Sequence, residues 1–237
     1  MDRQHRRDLK RDKFVDEVGS WTTRAKENQR LLVGITAVVV VLALIGYGIY
    51  FYGSNREAKA QDALGTAIAA IDSPLVQPGT PNPDAKYTTE QQRTAAAEGM
   101  FRDVQKNYSG TKAADVSNIY LARIAASKGD VATAQKLLAD FISEHPHHLL
   151  VGAARYSLYQ LRIANGEAPQ VTIELNAEMA KTTDQVLPPD TLLALLAQSY
   201  EAQGNSEKSK ETYRRIATQF PDSPYAIDAQ RRVGSAV

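Results

Sequence analysis

The sequence predicts an all-α protein, with a single N-terminal transmembrane helix followed by a solenoid of about four helical hairpins and a C-terminal capping helix. Three observations support this prediction: an uncharged apolar run, helical apolar spacing that recurs about every 37 residues, and glycine turns at the same interval. The chain has 237 residues, with 43% apolar and 23% charged side chains, which is ordinary globular composition.

The uncharged run extends from Leu31 to Tyr52 and contains 22 residues. As a helix it would measure about 33 Å, enough to cross about 30 Å of hydrocarbon. Aromatic residues crowd its C-terminal end, as at a membrane interface. Because the run is too long for the core of a signal peptide, and thirty residues precede it, we expect a permanent anchor that contacts membrane lipid.

Charges on either side of the run predict its orientation. Five Lys/Arg lie within twenty residues before it and two within twenty after it, so residues 1–30 should be cytoplasmic and residues 53–237 extracytoplasmic. In the basic tail, Phe14, Val18, Trp21 and Ala25 share one helical face. This amphipathic stretch would bind the anionic inner leaflet or a partner, or it is a solvated arm that only sets the topology.

Repeats organise the remainder of the chain. The spacing Phe-x-x-Val-x-x-x-Tyr, or its apolar equivalent, begins at residues 101, 138 and 213, which predicts a fourth copy near residue 175. Gly129-Asp130, Asn165-Gly166 and Gly204-Asn205 follow the same interval. Glycine tolerates the left-handed backbone that ends a helix, so each dipeptide indicates a tight connection between helices.

The last repeat reads Leu193-x-x-Leu196-Ala197-x-x-Tyr200, then Ser209-x-x-x-Tyr213, then Pro221. It resembles the tetratricopeptide pattern W-x-x-L-G-x-x-Y, A-x-x-x-F, P, in which small residues let two helices approach closely. The second repeat, with Ala122 and Ala134, is degenerate, and the third has Val171 where a small residue is expected. The resemblance covers roughly residues 90–237 and implies a groove lined by the first helix of each hairpin.

The first hairpin contains an insertion. Capping-box patterns at Ser54-x-x-Glu57 and Thr88-x-x-Gln91 predict helices over residues 56–71 and 89–107. Residues 73–86 between them hold four of the ten prolines and should form a long exposed loop. Near the C-terminus, Ser223 before Pro224 predicts the start of the capping helix.

Signatures of catalysis are missing from the sequence, which has no GxSxG, P-loop or HExxH motif, and no enzyme or cofactor is expected. The absence of cysteine excludes disulfides, thiolate metal sites and a lipoprotein anchor. His145, His147 and His148 could hold a transition metal, but His145 occupies a packing position of the repeat, so no metal site is expected. The region after the span is nearly neutral, which argues against nucleic-acid binding.

The best candidate site is the predicted groove, because tyrosine and arginine dominate protein interfaces. Alternatively, Tyr156 and Tyr159 fill the core between degenerate repeats. By repeat alignment, the groove residues are Val116, Ile119, Arg123, Arg155, Tyr156, Tyr159, Thr191, Gln198 and Glu201.

The layout as a whole resembles the ancillary subunit of the bacterial Sec translocon, which has a short tail, one span and a periplasmic tetratricopeptide domain. That resemblance implies an inner-membrane location and, as partners, translocon subunits, periplasmic folding factors and exported polypeptides. The related cell-division coordinator shares the helical domain, and a scaffold for envelope or respiratory complexes remains an alternative.

Overall fold

A computed structural model describes residues 29–77, 79, 82–181, 183 and 185–234. These residues divide into two compact units after Arg56. All of their regular elements are helical, apart from one isolated bridge between Leu75 and Tyr87, which confirms the all-α prediction. The predicted amphipathic stretch in the tail lies outside the described residues.

The first helix, α1, spans Gln29–Asp72. Within the described residues it is the one helix that is long and apolar enough to cross a membrane. The large apolar side chains that follow Val33, up to Tyr52, are exposed rather than packed, as expected for a segment that contacts lipid. The apolar run therefore has the length and surface that the sequence predicted.

The predicted helix start at Ser54 is wrong, because α1 continues without a break through that position. Glu57, the acidic residue of the supposed capping box, instead accepts hydrogen bonds from Gln61 Nε2 at 2.8 Å and from the Lys112 backbone amide at 3.0 Å. The next helix starts one residue later than predicted, since Thr89 accepts from the Gln92 amide while Thr88 bonds the Gln92 side chain.

Eight further helices follow in the described part of the chain. Successive helices pack in order along the chain. They form the predicted four hairpins, namely residues 57–72 of α1 with α2, α3 with α4, α5 with α6, and α7 with α8. The capping helix α9 packs on α8. Their bounds are α2 Glu90–Asn107, α3 Lys112–Ser127, α4 Val131–Glu144, α5 Val151–Arg162, α6 Ala168–Met179, α7 Pro189–Ala202, α8 Ser206–Gln219 and α9 Ala226–Gly234.

Two of the hairpin turns have the same construction. Gly129 and Gly204 have φ of 79° and 71°, and the next residue in each case, Asp130 or Asn205, caps the following helix through its side-chain oxygen. The glycine supplies the left-handed backbone. The side-chain oxygen of the aspartate or asparagine accepts a hydrogen bond from a backbone N–H in the first turn of the next helix. These turns explain why the dipeptides repeat at the helical-hairpin interval.

The fourth hairpin confirms the predicted register. Ala197 is fully buried, and Ser209 and Tyr213 are almost fully buried where α7 crosses α8. Since Ala197 and Ser209 are small, the helices approach closely and Tyr213 fills the space beside the crossing with Ile216 and Ala229. The α8 helix ends at Gln219, just before Pro221.

The third hairpin is held differently. A short kinked connection, Ile163–Glu167, joins α5 and α6, with Gly166 in the left-handed region at φ 87°. The Arg162 guanidinium donates to Glu174 at 2.7 and 2.9 Å and to Glu167 at 2.9 Å, and these contacts raise its pKa. An ion-pair cluster therefore joins the two helices in the repeat that departs most from the tetratricopeptide pattern.

The proline-rich insertion is closed at its base. The Val76 amide donates to the Tyr87 carbonyl at 2.8 Å, and Arg93 Nη1 donates to the Ser73 carbonyl at 2.9 Å. Tyr87 also packs against the core that α1, α2 and α3 share. Both ends of the loop are therefore fixed to the domain.

Candidate functional site

A pocket of about 380 Å³ lies between α3, α4 and α5. Two of the nine predicted groove residues, Ile119 and Arg123, line it from α3. Most of its lining is apolar, as is usual where proteins bind ligands or side chains. The full lining is Ile119, Ala122, Arg123, Ala126, Leu138, Ser157, Gln160 and Leu161.

Arg123 is the one charged residue of this lining. Its side chain is exposed, and in the part of the chain that the structure describes no hydrogen bond or ion pair involves it. Opposite it, α5 contributes two polar side chains: Ser157, and Gln160, whose Nε2 donates to the Tyr156 hydroxyl at 2.8 Å. The pocket therefore combines an apolar lining with an available cation and two neutral hydrogen-bonding groups.

The two tyrosines predicted for the groove belong largely to the core. Tyr156 and Tyr159 pack against a cluster that includes Val171, Leu175 and Leu192. Burial raises the pKa of both hydroxyl groups, and for Tyr156 a hydrogen bond with Tyr225 acts in the same direction. These contacts favour the core interpretation of the two side chains over a free binding surface.

Arg155 is also engaged within the domain. Its Nη1 lies 3.8 Å from Oε1 of Glu178, a carboxylate that is only 6% exposed. Burial opposes ionisation of Glu178, but Lys181 at 2.5 Å, the Val186 backbone and Arg155 together hold its pKa below the ordinary value. Arg155 therefore helps to neutralise a buried charge.

The remaining predicted groove residues are separated from the pocket. Val116 packs against the core of the first hairpin. Glu201 accepts from Arg232 Nη1 at 2.7 and 2.9 Å and from the Tyr213 hydroxyl at 3.4 Å, which ties the end of α7 to the capping helix. Thr191 and Gln198 are partly exposed on α7, which contributes nothing to the pocket.

Six lining residues were not predicted from the sequence, and one of them could have been. Gln160 follows Arg123 by 37 residues, the repeat interval, so the two side chains occupy equivalent positions on α3 and α5. Repeat alignment also predicted Tyr156 and Tyr159 near the groove, and Tyr156 follows Ile119 by the same 37 residues. Equivalence in the repeat brings Gln160 to the pocket with Arg123, but it leaves Tyr156, the equivalent of Ile119, packed in the core.

The fold defines a helical-repeat protein, and the comparisons with known proteins identify the family. The model described as tetratricopeptide repeat-like domain matches residues 26–186, more than half of the chain, and the model described as tetratricopeptide repeat matches residues 194–223. The chain belongs to the tetratricopeptide repeat-like domain family. A search of curated proteins finds no match to the sequence.

Solved structures agree with this fold. The crystal structure of a putative Podosopora anserina kinesin light chain with nearly identical TPR-like repeats superposes with a TM-score of 0.52 at 18% identity, covering 76% of this chain and 86% of that one. A single-residue variant of that protein gives a TM-score of 0.51, also at 18% identity, with 76% and 85% coverage. At this identity the likeness concerns the fold alone.

Proposed function

We propose that this protein is a membrane-anchored, non-catalytic interaction module that binds extended polypeptides beside the Sec translocon. The observation that supports the proposal is the apolar pocket on α3 and α5, with the unpaired Arg123 in its lining, in a domain whose family consists of protein-interaction repeats. Its partners would be translocon subunits, periplasmic folding factors and newly exported chains.

The Lys/Arg asymmetry around the span supports the orientation that this role requires, with residues 1–30 in the cytoplasm, the span from Leu31 to Tyr52 in the inner membrane and residues 53–237 in the periplasm. A small pocket binds an extended chain weakly. Tethering raises the effective concentration of a nearby site toward about millimolar, so weak binding suffices and bound chains can still dissociate. The exit of the protein-conducting channel is where extended chains leave the membrane.

Orientation is tested with reporter fusions at the C-terminus. An alkaline phosphatase fusion, which is active only outside the cytoplasm, should be active, and a matched fluorescent fusion that folds only in the cytoplasm should be dark. The opposite pattern from stably expressed fusions would reverse the proposed topology.

The proposed partner is tested by co-purification from membranes in mild detergent. Full-length protein should recover channel subunits, while a variant lacking residues 1–53 should recover them poorly even if circular dichroism shows that its remaining domain is helical. Recovery of division or respiratory-assembly proteins without any channel subunit would support the alternative scaffold role and contradict the translocon assignment.

A further inference from the structure

We infer that the pocket between α3, α4 and α5 binds an apolar side chain of an extended polypeptide segment, and that an Asp or Glu next to that side chain pairs with Arg123. This inference rests on the proposed binding of polypeptides and specifies the chemistry of the segment that is bound. It predicts that clients are selected by an apolar residue with an acidic neighbour, rather than by apolar character alone.

The dimensions and lining of the pocket fit a side chain. Its volume of about 380 Å³ is near the lower end of the range of about 300–1,000 Å³ for ligand pockets. Ile119, Ala122, Leu138 and Leu161 provide an apolar lining, and Ala126 leaves room beside them because its side chain is only a methyl group. An apolar side chain placed there would exchange water contacts for these aliphatic groups.

The charges of the pocket determine the sign of its partner. Other arginines of the domain, such as Arg155, Arg162 and Arg232, contact carboxylates of the same chain. Arg123 has no such contact among the described residues, and no acidic side chain lines the pocket. A ligand carboxylate would therefore meet one positive charge with no opposing negative charge in the lining.

The polar wall of the pocket favours an internal segment over a chain terminus. Ser157 provides a hydroxyl, and Gln160 has a side-chain carbonyl without a hydrogen bond in the residues that the structure covers. Both groups can form hydrogen bonds with the backbone amides and carbonyls of a bound segment. A segment from the middle of a chain presents such backbone groups on both sides of its apolar residue. We therefore assign the carboxylate to Asp or Glu and not to a free C-terminus.

The test uses full-length protein in phosphatidylcholine nanodiscs and fluorescent ten-residue Gly/Ser peptides that are acetylated and amidated. Their central residues are Leu-Leu-Glu, Leu-Leu-Gln, Leu-Leu-Lys or Ser-Ser-Glu, and binding is measured by fluorescence anisotropy. The Leu-Leu-Glu peptide should bind about fivefold more tightly than Leu-Leu-Gln, as expected for one exposed ion pair, and the difference should shrink in high salt. Ser-Ser-Glu should not bind.

Four variants assign the selectivity to the pocket. Arg123→Gln should abolish the preference for Glu, while Arg123→Glu should reverse it in favour of Leu-Leu-Lys, a change that a purely structural role would not produce. Ala126→Trp should fill the pocket and weaken all binding by about tenfold or more, in line with one lost apolar pocket contact. Arg215→Gln, at an exposed position on α8, is the matched control and should bind like the unchanged protein.

The outcomes separate this inference from the proposed function. Equal binding of the Glu, Gln and Lys peptides, with loss in Ala126→Trp, would leave polypeptide binding intact and overturn the role of Arg123. Binding only by a free-carboxylate version of the peptide would overturn the choice of an internal segment. Absence of binding by every peptide would overturn both, as would tight binding of a fatty acid in place of peptides.

Discussion

The α3 and α5 helices occupy equivalent places in successive hairpins, yet they present different surfaces. On α3, Ile119 and Arg123 line an open pocket. On α5, Tyr156 stands 37 residues after Ile119 and packs into the core, while Gln160 stands 37 residues after Arg123 and shares the pocket. The repeat thus determines which way a side chain faces, and the packing of the next hairpin determines whether that side chain is free.

The hairpins also differ at one position of their second helices. The second and fourth hairpins place Ala134 and Ser209 at the helix crossing, whereas the third has Val171. Val171 and Leu175 form the core of the third hairpin together with Tyr156 and Tyr159. The same cluster includes Leu192, Leu195 and Leu196 of α7, so the two tyrosines pack where the third and fourth hairpins meet.

The largest expected effect is on stability. It comes from placing tryptophan at a closed helix crossing and, for comparison, beside the open pocket. Ala197→Trp should lower the free energy of unfolding by about 3 kcal/mol or more, because Ala197 is fully buried at the α7–α8 crossing. Ala126→Trp should cost less than about 1 kcal/mol, since Ala126 adjoins the open pocket. Urea unfolding of full-length protein in detergent, followed by far-UV circular dichroism, measures both. Equal losses would show that the pocket is not open.

Truncating a tyrosine on α5 tests whether it belongs to the core. Tyr159→Ala should destabilise the protein by about 2 kcal/mol, less than for a fully buried aromatic residue because Tyr159 is only partly buried. Tyr159→Phe is the control and should retain most of the stability. If Tyr159→Ala unfolds at the same urea concentration as the unchanged protein, the side chain belongs to a free surface after all.

The two arginines predicted for the groove should respond differently to the same change. Arg155→Gln should cost about 1 kcal/mol, because the buried Glu178 carboxylate keeps Lys181 but loses a second cation. Arg123→Gln should change stability by less than about 0.5 kcal/mol, as is usual for an exposed side chain without partners in its own chain. Melting curves of the two variants, recorded together, make the comparison. A larger loss for Arg123→Gln would reverse the assignment of roles.

The last effect is absent at neutral pH and is confined to alkaline pH. Burial, followed by the Glu201 carboxylate, raises the pKa of Tyr213 to about 12, above the value of about 10 expected for an unfolded chain. The folded state therefore holds the Tyr213 proton more tightly than the unfolded chain does. The contribution of this protonated hydroxyl to the free energy of unfolding is present in full below about pH 10 and is lost as pH rises toward 12. Urea unfolding between these pH values should show a shallower loss for Tyr213→Phe than for the unchanged protein. Identical pH dependence would contradict the role of Tyr213.

The repeat interval and the glycine turns were enough to predict the hairpins, because each turn carries its own local chemistry in Gly129-Asp130 and Gly204-Asn205. The helix start at Ser54 was mispredicted because a capping box is a local pattern, and nothing in the preceding run interrupts α1. The site was only partly predictable. The engagement of Arg155 with Glu178 and of Glu201 with Arg232 joins residues that are 23 and 31 positions apart, and helical periodicity alone does not encode such pairs.

The closed base of the proline-rich insertion has a consequence for how freely this segment can change. Because the backbone bond between Val76 and Tyr87 already brings the two ends together, extra chain between them adds only to the entropy of loop closure. Each doubling of loop length costs about 0.6 kcal/mol, a small part of the stability of a domain. The insertion is therefore a place where an epitope, a protease site or an entire small domain can be added without disturbing the hairpins.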